Sequence, residues 1–165
     1  MTNDATWLDD LPEVVYPDGA EIFTQGVRHD ELLVLVSGAV RVTSGDVEVA
    51  VVDQPGAFLG EMAVLLNGPA GATVTAVGEC VFRRSDAPMQ LLRDEPEVSI
   101  AIATEVARRL SLITGYLADL QTQYADRSDH LAVVAQVLES LTQARKPEIE
   151  PGTDRERGAP SRVDS

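Results

Sequence analysis

The sequence predicts an α+β fold in which a rolled antiparallel sheet is followed by helices. Two observations support this prediction. Over residues 14–84, short β-rich segments alternate with turns such as Pro17-Asp18-Gly19 and Ser44-Gly45-Asp46. From residue 97 onward, the apolar residues recur at helical spacing instead. The order of these patterns places the sheet in the first half of the chain and the long helices in the second.

Individual strands can be outlined within the first half. Residues 32–36 form a continuous apolar run, which is typical of a strand buried on both faces, and the run ends at Ser37-Gly38. A hairpin follows, with its turn at Ser44-Gly45-Asp46. Residues 73–84 are expected to form a further strand, or two strands broken at Gly78.

Composition and charge exclude several classes of protein. The 165 residues suffice for one domain with a proper core plus extensions. A net charge of −14 opposes binding to nucleic acid or to an anionic membrane. No stretch approaches the roughly 20 apolar residues of a membrane span, and the first residues do not resemble a signal peptide, so we expect a cytoplasmic protein without membrane contact.

Few residues suggest catalysis or metal binding. Cys80 is the single cysteine, which excludes an internal disulfide and a four-thiolate metal site. His29 and His130 have no partner at ligand spacing, so we interpret them as surface or capping residues rather than as metal ligands. Because no nucleophile is accompanied by a base, we expect neither an enzyme nor a cofactor.

The most informative stretch is an interrupted apolar run between two predicted strands. Gly60 and Glu61 open a run too short for a regular helix, which breaks at Asn67-Gly68-Pro69 and resumes as the β-like residues 72–77. This pattern predicts one short helix inserted between two strands. The N–H groups at its start are suited to an anion such as a phosphate, whereas the carboxylate of Glu61 is better suited to accepting from a sugar hydroxyl.

This stretch resembles the phosphate-binding cassette of cyclic nucleotide-binding domains, the family of the catabolite activator protein and of the regulatory subunits of cyclic-AMP-dependent kinase. The residues that follow the family pattern are Gly60, Glu61, Met62, Ala63, Pro69, Ala72, Thr73 and Val74. Where the family places the arginine that pairs with the cyclic phosphate, this chain has Ala70, followed by Gly71. Losing that arginine alone weakens binding by about 10- to 150-fold.

The resemblance implies a fold and a ligand. It implies that the sheet is a β-roll, a jelly-roll-like double-stranded β-helix. It also implies that Glu61 accepts from the ribose 2′-hydroxyl and that the N–H groups around Met62, Ala63 and Gly71 face the phosphate. The candidate ligand-binding residues are therefore Gly60, Glu61, Met62, Ala63, Ala70, Gly71, Ala72 and Thr73, and the expected ligand is cyclic AMP in preference to cyclic GMP.

A long helix is predicted over residues 97–126. One apolar series recurs at spacings of 4, 3, 4, 3 and 4, which is typical of a coiled-coil seam and predicts a homodimer. The seam residues are Val106, Leu110, Ile113, Leu117, Leu120 and Tyr124. Val98, Ile100, Ile102 and Ala107 are expected to face the roll, and the alternative is a helix packed wholly on its own domain. The resemblance implies the same dimerisation helix, and it places Thr114 where the activators present a hydroxyl to the adenine.

The pattern divides the chain into five segments. They are an N-terminal helical cap (1–13), the β-roll (14–96), the dimerisation helix (97–126), a C-terminal helix (128–146) and a disordered tail (147–165). No second recognition helix and no cluster of Arg and Lys follow the long helix, so the DNA-binding helix-turn-helix of the transcription factors is not expected.

Three interpretations of function follow. The first is a homodimeric sensor in which a cyclic nucleotide alters the C-terminal helices and their contact with an unknown protein partner. The second is a degenerate cassette that serves as a dimerisation or docking module without a nucleotide, as Ala70 suggests. The third is a transcription regulator acting directly on DNA, which the acidic charge disfavours.

Overall fold

The computed structural model describes residues 6–123 and 131–142. The strands are β1 (Glu13–Tyr16), β2 (Glu21–Phe23), β3 (Leu32–Ser44), β4 (Val47–Val52), β5 (Phe58–Leu59) and β6 (Thr73–Ser85). The helices are α1 (Thr6–Asp9), α2 (Glu61–Leu66), α3 (Pro88–Asp94), α4 (Pro96–Gln123) and α5 (Leu131–Thr142). The chain divides into two compact units, Met1–Leu110 and Ser111–Ser165.

The first unit contains a six-stranded sheet in which every strand pair is antiparallel. The hydrogen-bonded order is β1-β6-β3-β4, with β2 also pairing with β6 and β5 with β3. The long strands β3 and β6 therefore occupy the centre, and the short strands attach to them. The predicted α+β class with an antiparallel β-roll is confirmed.

The predicted strand end at Ser37-Gly38 is wrong, whereas the single strand that was one of the two alternatives for residues 73–84 is confirmed. β3 continues through Ser37-Gly38, and β6 continues through Gly78. The irregularity takes the form of bulges instead, because Ser37 pairs with Val81 while Ala39 pairs with Val77. Gly38 has φ of 98°, and a Cβ there would lie 2.6 Å from the carbonyl oxygen of Glu79. Only glycine therefore fits at this position, where β3 lies against β6. The predicted hairpin is confirmed, since Ser44 pairs with Val47.

The core is mainly aliphatic, with two buried phenylalanine rings in its largest cluster. Its largest cluster joins the inner faces of β3 and β6, where Leu33, Leu35, Val40, Cys80 and Phe82 are almost completely shielded from solvent. The prediction that the run 32–36 is buried on both faces holds for its first four residues. Burial of these alternating and adjacent apolar side chains supplies the main driving force for closing the roll.

A second cluster attaches the first turns of α4 to the sheet. Val98 and Ile102 pack with Leu32, and Val106 is partly buried against the same cluster one turn later. Ile100 and Ala107 are exposed, so the prediction that they face the roll is wrong. The buried residues of α4 are spaced by four, so they lie on one face of the helix, and this face packs on the sheet.

The second unit contains the remainder of α4 and, among the described residues, α5. Its exposed large apolar residues include Leu112, Ile113, Tyr116, Val133 and Val137. None of the described helices is both long enough and apolar enough to cross a membrane. The predictions made for Tyr124, for the tail at 147–165 and for the two ends of the helix at 128–146 lie outside the described residues.

Candidate ligand-binding site

The predicted short helix between two strands is confirmed as α2, which lies between β5 and β6. Gly60, immediately before it, has φ of 91°. A Cβ at this position would lie 2.7 Å from the carbonyl oxygen of Glu31, 2.9 Å from Cε1 of His29 and 3.1 Å from Cζ of Phe23. Two features therefore require glycine at this position: the positive φ of the backbone and the lack of space for a side chain.

A cavity of about 790 Å³ opens beside α2. One wall is the start of α2, a second is the segment 70–72, and a third is formed by residues 49–57 of β4 and the connection that follows. α4 contributes Ala101, Glu105 and Arg109. All of these residues belong to the first unit, and the volume lies within the range of small-molecule sites.

Glu61 makes the most notable contact in this cavity. Its side chain is only 7% exposed, and its Oε1 accepts a hydrogen bond of 2.8 Å from Nη1 of Arg109. Nε of Arg109 also donates to Oε1 of Glu105 at 3.3 Å. A buried carboxylate without a counter-charge is costly, so this ion pair accounts for how the fold accommodates Glu61. The pair also connects the cassette directly to α4.

The structure brings most of the predicted site residues together. The cavity is lined by Gly60, Glu61, Met62, Ala63, Ala70, Gly71 and Ala72. Thr73 is not among the lining residues, and its Oγ1 accepts from the backbone N–H of Gln25 at 3.0 Å. Thr114 belongs to the second unit. The roles of all these residues toward a ligand stay predictions.

Ala70 holds the position where the family has its arginine. It is 6% exposed, and its backbone is fixed by two hydrogen bonds: its N–H donates to the carbonyl of Val27 at 2.9 Å, and its own carbonyl accepts from the N–H of Gly26 at 2.8 Å. Ala70 belongs to the cavity wall and brings no charge to it. The charged groups that line the cavity are three carboxylates (Asp53, Glu61, Glu105) and the guanidinium of Arg109.

Several residues of this site were not predicted, and Arg109 and His29 are the most informative of them. Arg109 lies 48 residues after Glu61 in sequence. It follows Glu105 by four residues and Ile102 by seven, so helical periodicity places the three residues on one face, and this was a usable signal. His29 lines the cavity, and its ring stacks on Phe23 with a centroid distance of 3.9 Å. His29 is therefore half-buried at the cavity and not a fully exposed surface residue. Nothing in its charged sequence neighbourhood indicated this position.

Comparison with known proteins identifies the domain. Residues 13–88 match the model of the cyclic nucleotide-binding domain. The CRP-like cAMP-activated global transcriptional regulator of Mycobacterium tuberculosis is 29% identical over 116 residues, which cover 67% of this chain and 52% of that protein. The cAMP-dependent protein kinase regulatory subunit of Yarrowia lipolytica is 38% identical over 75 residues, which cover 46% of this chain and 20% of that protein.

Comparison with solved structures supports the same family. The crystal structure of the Thermus thermophilus catabolite activator protein superposes with a TM-score of 0.58 at 29% identity, over 72% of this chain and 56% of that one. The chain spans about half the length of the bacterial relatives that it matches. The predicted resemblance is thus confirmed by sequence and by fold. Residues 13–88 belong to the cyclic nucleotide-binding domain family, and their CRP-like β-roll is related to that of the regulatory subunits of cAMP-dependent kinase.

Proposed function

We propose that this protein is a regulatory sensor, not an enzyme, which binds a cyclic nucleotide in the cavity beside α2. The observation that carries the proposal is the buried Glu61 carboxylate, which lines a cavity of suitable size within the family's cassette. The preference for cyclic AMP over cyclic GMP is supported by the names of the two sequence relatives, both of which refer to cAMP.

Glu61 can serve the ligand and the fold together. A carboxylate has about four acceptor positions on its two oxygens, so it can accept from a ribose hydroxyl beside its bond to Arg109. A second donor on Glu61 alters the strength of the 2.8 Å contact with Nη1 of Arg109. Since Arg109 belongs to α4, ligand binding at the cassette acts directly on the helix that leaves the roll.

This coupling predicts a change in helix protection. Saturating cyclic AMP is expected to change backbone amide hydrogen exchange in α4 and α5, because a ligand that binds two helix arrangements with different affinity shifts their populations. The matched control is the Glu61→Gln variant, which has no carboxylate and is expected to show no change at the same nucleotide concentration. Unchanged exchange in the unmodified protein at saturation would contradict the switch.

We also propose that the protein forms a homodimer through α4. The predicted seam includes Leu110 and Ile113, which are 45% and 54% exposed in the single chain. Sedimentation equilibrium is expected to give the mass of two chains, and replacing Ile113 with aspartate is expected to shift the mass toward one, because a charge in an apolar seam is unfavourable. The control Leu112→Asp changes a neighbouring exposed residue outside the seam. A mass of one chain for the unmodified protein would contradict the dimer.

A second candidate function is favoured by Ala70 and by the charge of the cavity. With three carboxylates and one guanidinium, the cavity lacks the positive balance expected of an anion site. In this alternative the domain is a docking module that binds no nucleotide and contacts an unidentified protein partner. The Ala70→Arg variant considered in the Discussion separates the two candidates.

A further inference from the structure

The charged groups that line the cavity are mostly hydrogen-bond acceptors. Within the described residues, the carboxylates of Asp53, Glu61 and Glu105 face a single guanidinium, that of Arg109. An ionised carboxylate accepts hydrogen bonds on both oxygens and donates none. A phosphate likewise offers only acceptor oxygens, and it adds a negative charge. The cavity is therefore better matched to a ligand that brings donor groups than to an anion.

The guanidinium of Arg109 is already engaged by two of these carboxylates. Its Nη1 donates to Oε1 of Glu61 at 2.8 Å, and its Nε donates to Oε1 of Glu105 at 3.3 Å. A phosphate that drew this guanidinium away would leave the buried Glu61 carboxylate without its counter-charge, which is costly. At position 70, the side chain is uncharged and the backbone N–H already donates to the carbonyl of Val27.

Two acceptor groups of the cavity remain available to a ligand. Oε2 of Glu61 accepts no hydrogen bond from the described residues, and it is not closed off from solvent. Asp53 is exposed at the cavity and makes neither a hydrogen bond nor an ion pair within the described part of the chain. These oxygens are suited to hydroxyl donors.

We propose that the cavity also binds an uncharged nucleoside, with an affinity close to that of the cyclic nucleotide, because the sugar hydroxyls contribute most of the polar recognition and the phosphate contributes little. This inference rests on the proposed function, since it concerns the class of ligand that the same site accepts. A nucleoside presents hydroxyl donors at the 2′, 3′ and 5′ positions. Closing the cyclic phosphate leaves only the 2′-hydroxyl free and adds a negative charge beside the carboxylates.

The remaining wall of the cavity does not distinguish the two ligands. It is largely apolar, with Val49, Val51 and Met62 among its residues, and such a wall is suited to the faces of a base. A nucleoside and its cyclic phosphate carry the same base. The difference in affinity between them therefore reports on the sugar and the phosphate.

The test is calorimetric titration of the unmodified protein with adenosine and with cyclic AMP, followed by competition between the two. The two dissociation constants are expected to lie within about 10-fold of each other, which is the value of one neutral hydrogen bond. 2′-Deoxyadenosine is expected to bind about 10- to 150-fold more weakly than adenosine, because it lacks the donor for the Glu61 carboxylate.

A charge at position 70 is expected to create the discrimination that the unmodified protein lacks. In Ala70→Arg, the preference for cyclic AMP over adenosine is expected to rise by about 10- to 150-fold, because the guanidinium acts on the phosphate alone. Ala70→Met is the matched control, since it adds a side chain without charge and is expected to leave this preference as it is.

The outcomes separate this inference from the proposed function. Binding of cyclic AMP that a 100-fold excess of adenosine does not displace would overturn the inference alone, as would equal affinities for adenosine and 2′-deoxyadenosine. Binding of adenosine, dependent on its 2′-hydroxyl, without binding of cyclic AMP would support the nucleoside as ligand and overturn the cyclic nucleotide. A failure of both to bind to folded protein would overturn the inference and the proposed function together.

Discussion

Replacing Ala70 with arginine is expected to tighten cyclic AMP binding by about 10- to 150-fold, which is the value of one hydrogen-bonded charge on the phosphate. Ala70 lines the cavity, and its backbone N–H and carbonyl are held by hydrogen bonds to Val27 and Gly26. Because Ala70 lines a cavity of about 790 Å³, we expect a guanidinium at this position to extend into that cavity. Isothermal titration at low salt measures the gain.

The matched control for this variant is Ala70→Met, which adds a side chain of comparable length without charge. Its affinity is expected to stay at or below that of the unmodified protein. Equal effects of arginine and methionine would contradict an electrostatic explanation. If only Ala70→Arg binds and the unmodified protein does not, the docking-module candidate replaces the sensor.

Replacing Gly60 with alanine is expected to lower the free energy of unfolding by about 2–4 kcal/mol and to abolish nucleotide binding. The φ of 91° is unfavourable for a residue with a Cβ, and that Cβ would approach the carbonyl oxygen of Glu31 to 2.7 Å. Urea denaturation measures the stability, and calorimetric titration measures the binding.

Gly71 provides the control for Gly60. It lines the same cavity, but a Cβ added to it would meet no atom within 4 Å, and its φ is not in the left-handed region. Gly71→Ala is expected to change the free energy of unfolding by less than about 1 kcal/mol. If both alanine variants have the stability of the unmodified protein, the conformational requirement at Gly60 is refuted.

Local patterns were sufficient to predict a rolled antiparallel sheet and the short helix α2, whereas the selection of the residues around Gly60 and Glu61 as a nucleotide site came from the family resemblance. These features depend on neighbours in sequence: an apolar run, a turn and the interval between them. The same kind of local signal was misleading at Gly38 and left two alternatives open at Gly78. A glycine can mark either a turn or a β-bulge. Which of the two forms depends on the neighbouring strand, and the sequence of one segment carries no information about that strand.

The interior of the site was not predictable in the same way. The contact between Glu61 and Arg109 joins residues 48 positions apart, and that between His29 and Gly60 joins residues on separate segments. Neither depends on a local pattern. The phase of α4 shows a related limit, because Ile100 and Ala107 are apolar enough to be buried, yet the helix turns them to solvent. Only one face of a helix can pack against a sheet, and in α4 this is the face that carries Val98 and Ile102.

The functional interpretation depends on whether this particular cavity holds a cyclic nucleotide despite its carboxylates. The buried carboxylate of Glu61 and the requirement for glycine at position 60, immediately before α2, favour nucleotide binding. The lack of a positive charge at Ala70 opposes it. The energetic difference is a few kcal/mol at most, because it concerns one charged hydrogen bond. A difference of that size changes an affinity by orders of magnitude without changing the fold.

The central claim is tested most directly by calorimetric titration of the unmodified protein with cyclic AMP and cyclic GMP at low salt and pH 6.0. Our account predicts saturable binding of cyclic AMP in the micromolar range, with one nucleotide per chain and weaker binding of cyclic GMP. Absence of binding up to millimolar concentrations, from protein shown to be folded by its circular dichroism, would contradict the account.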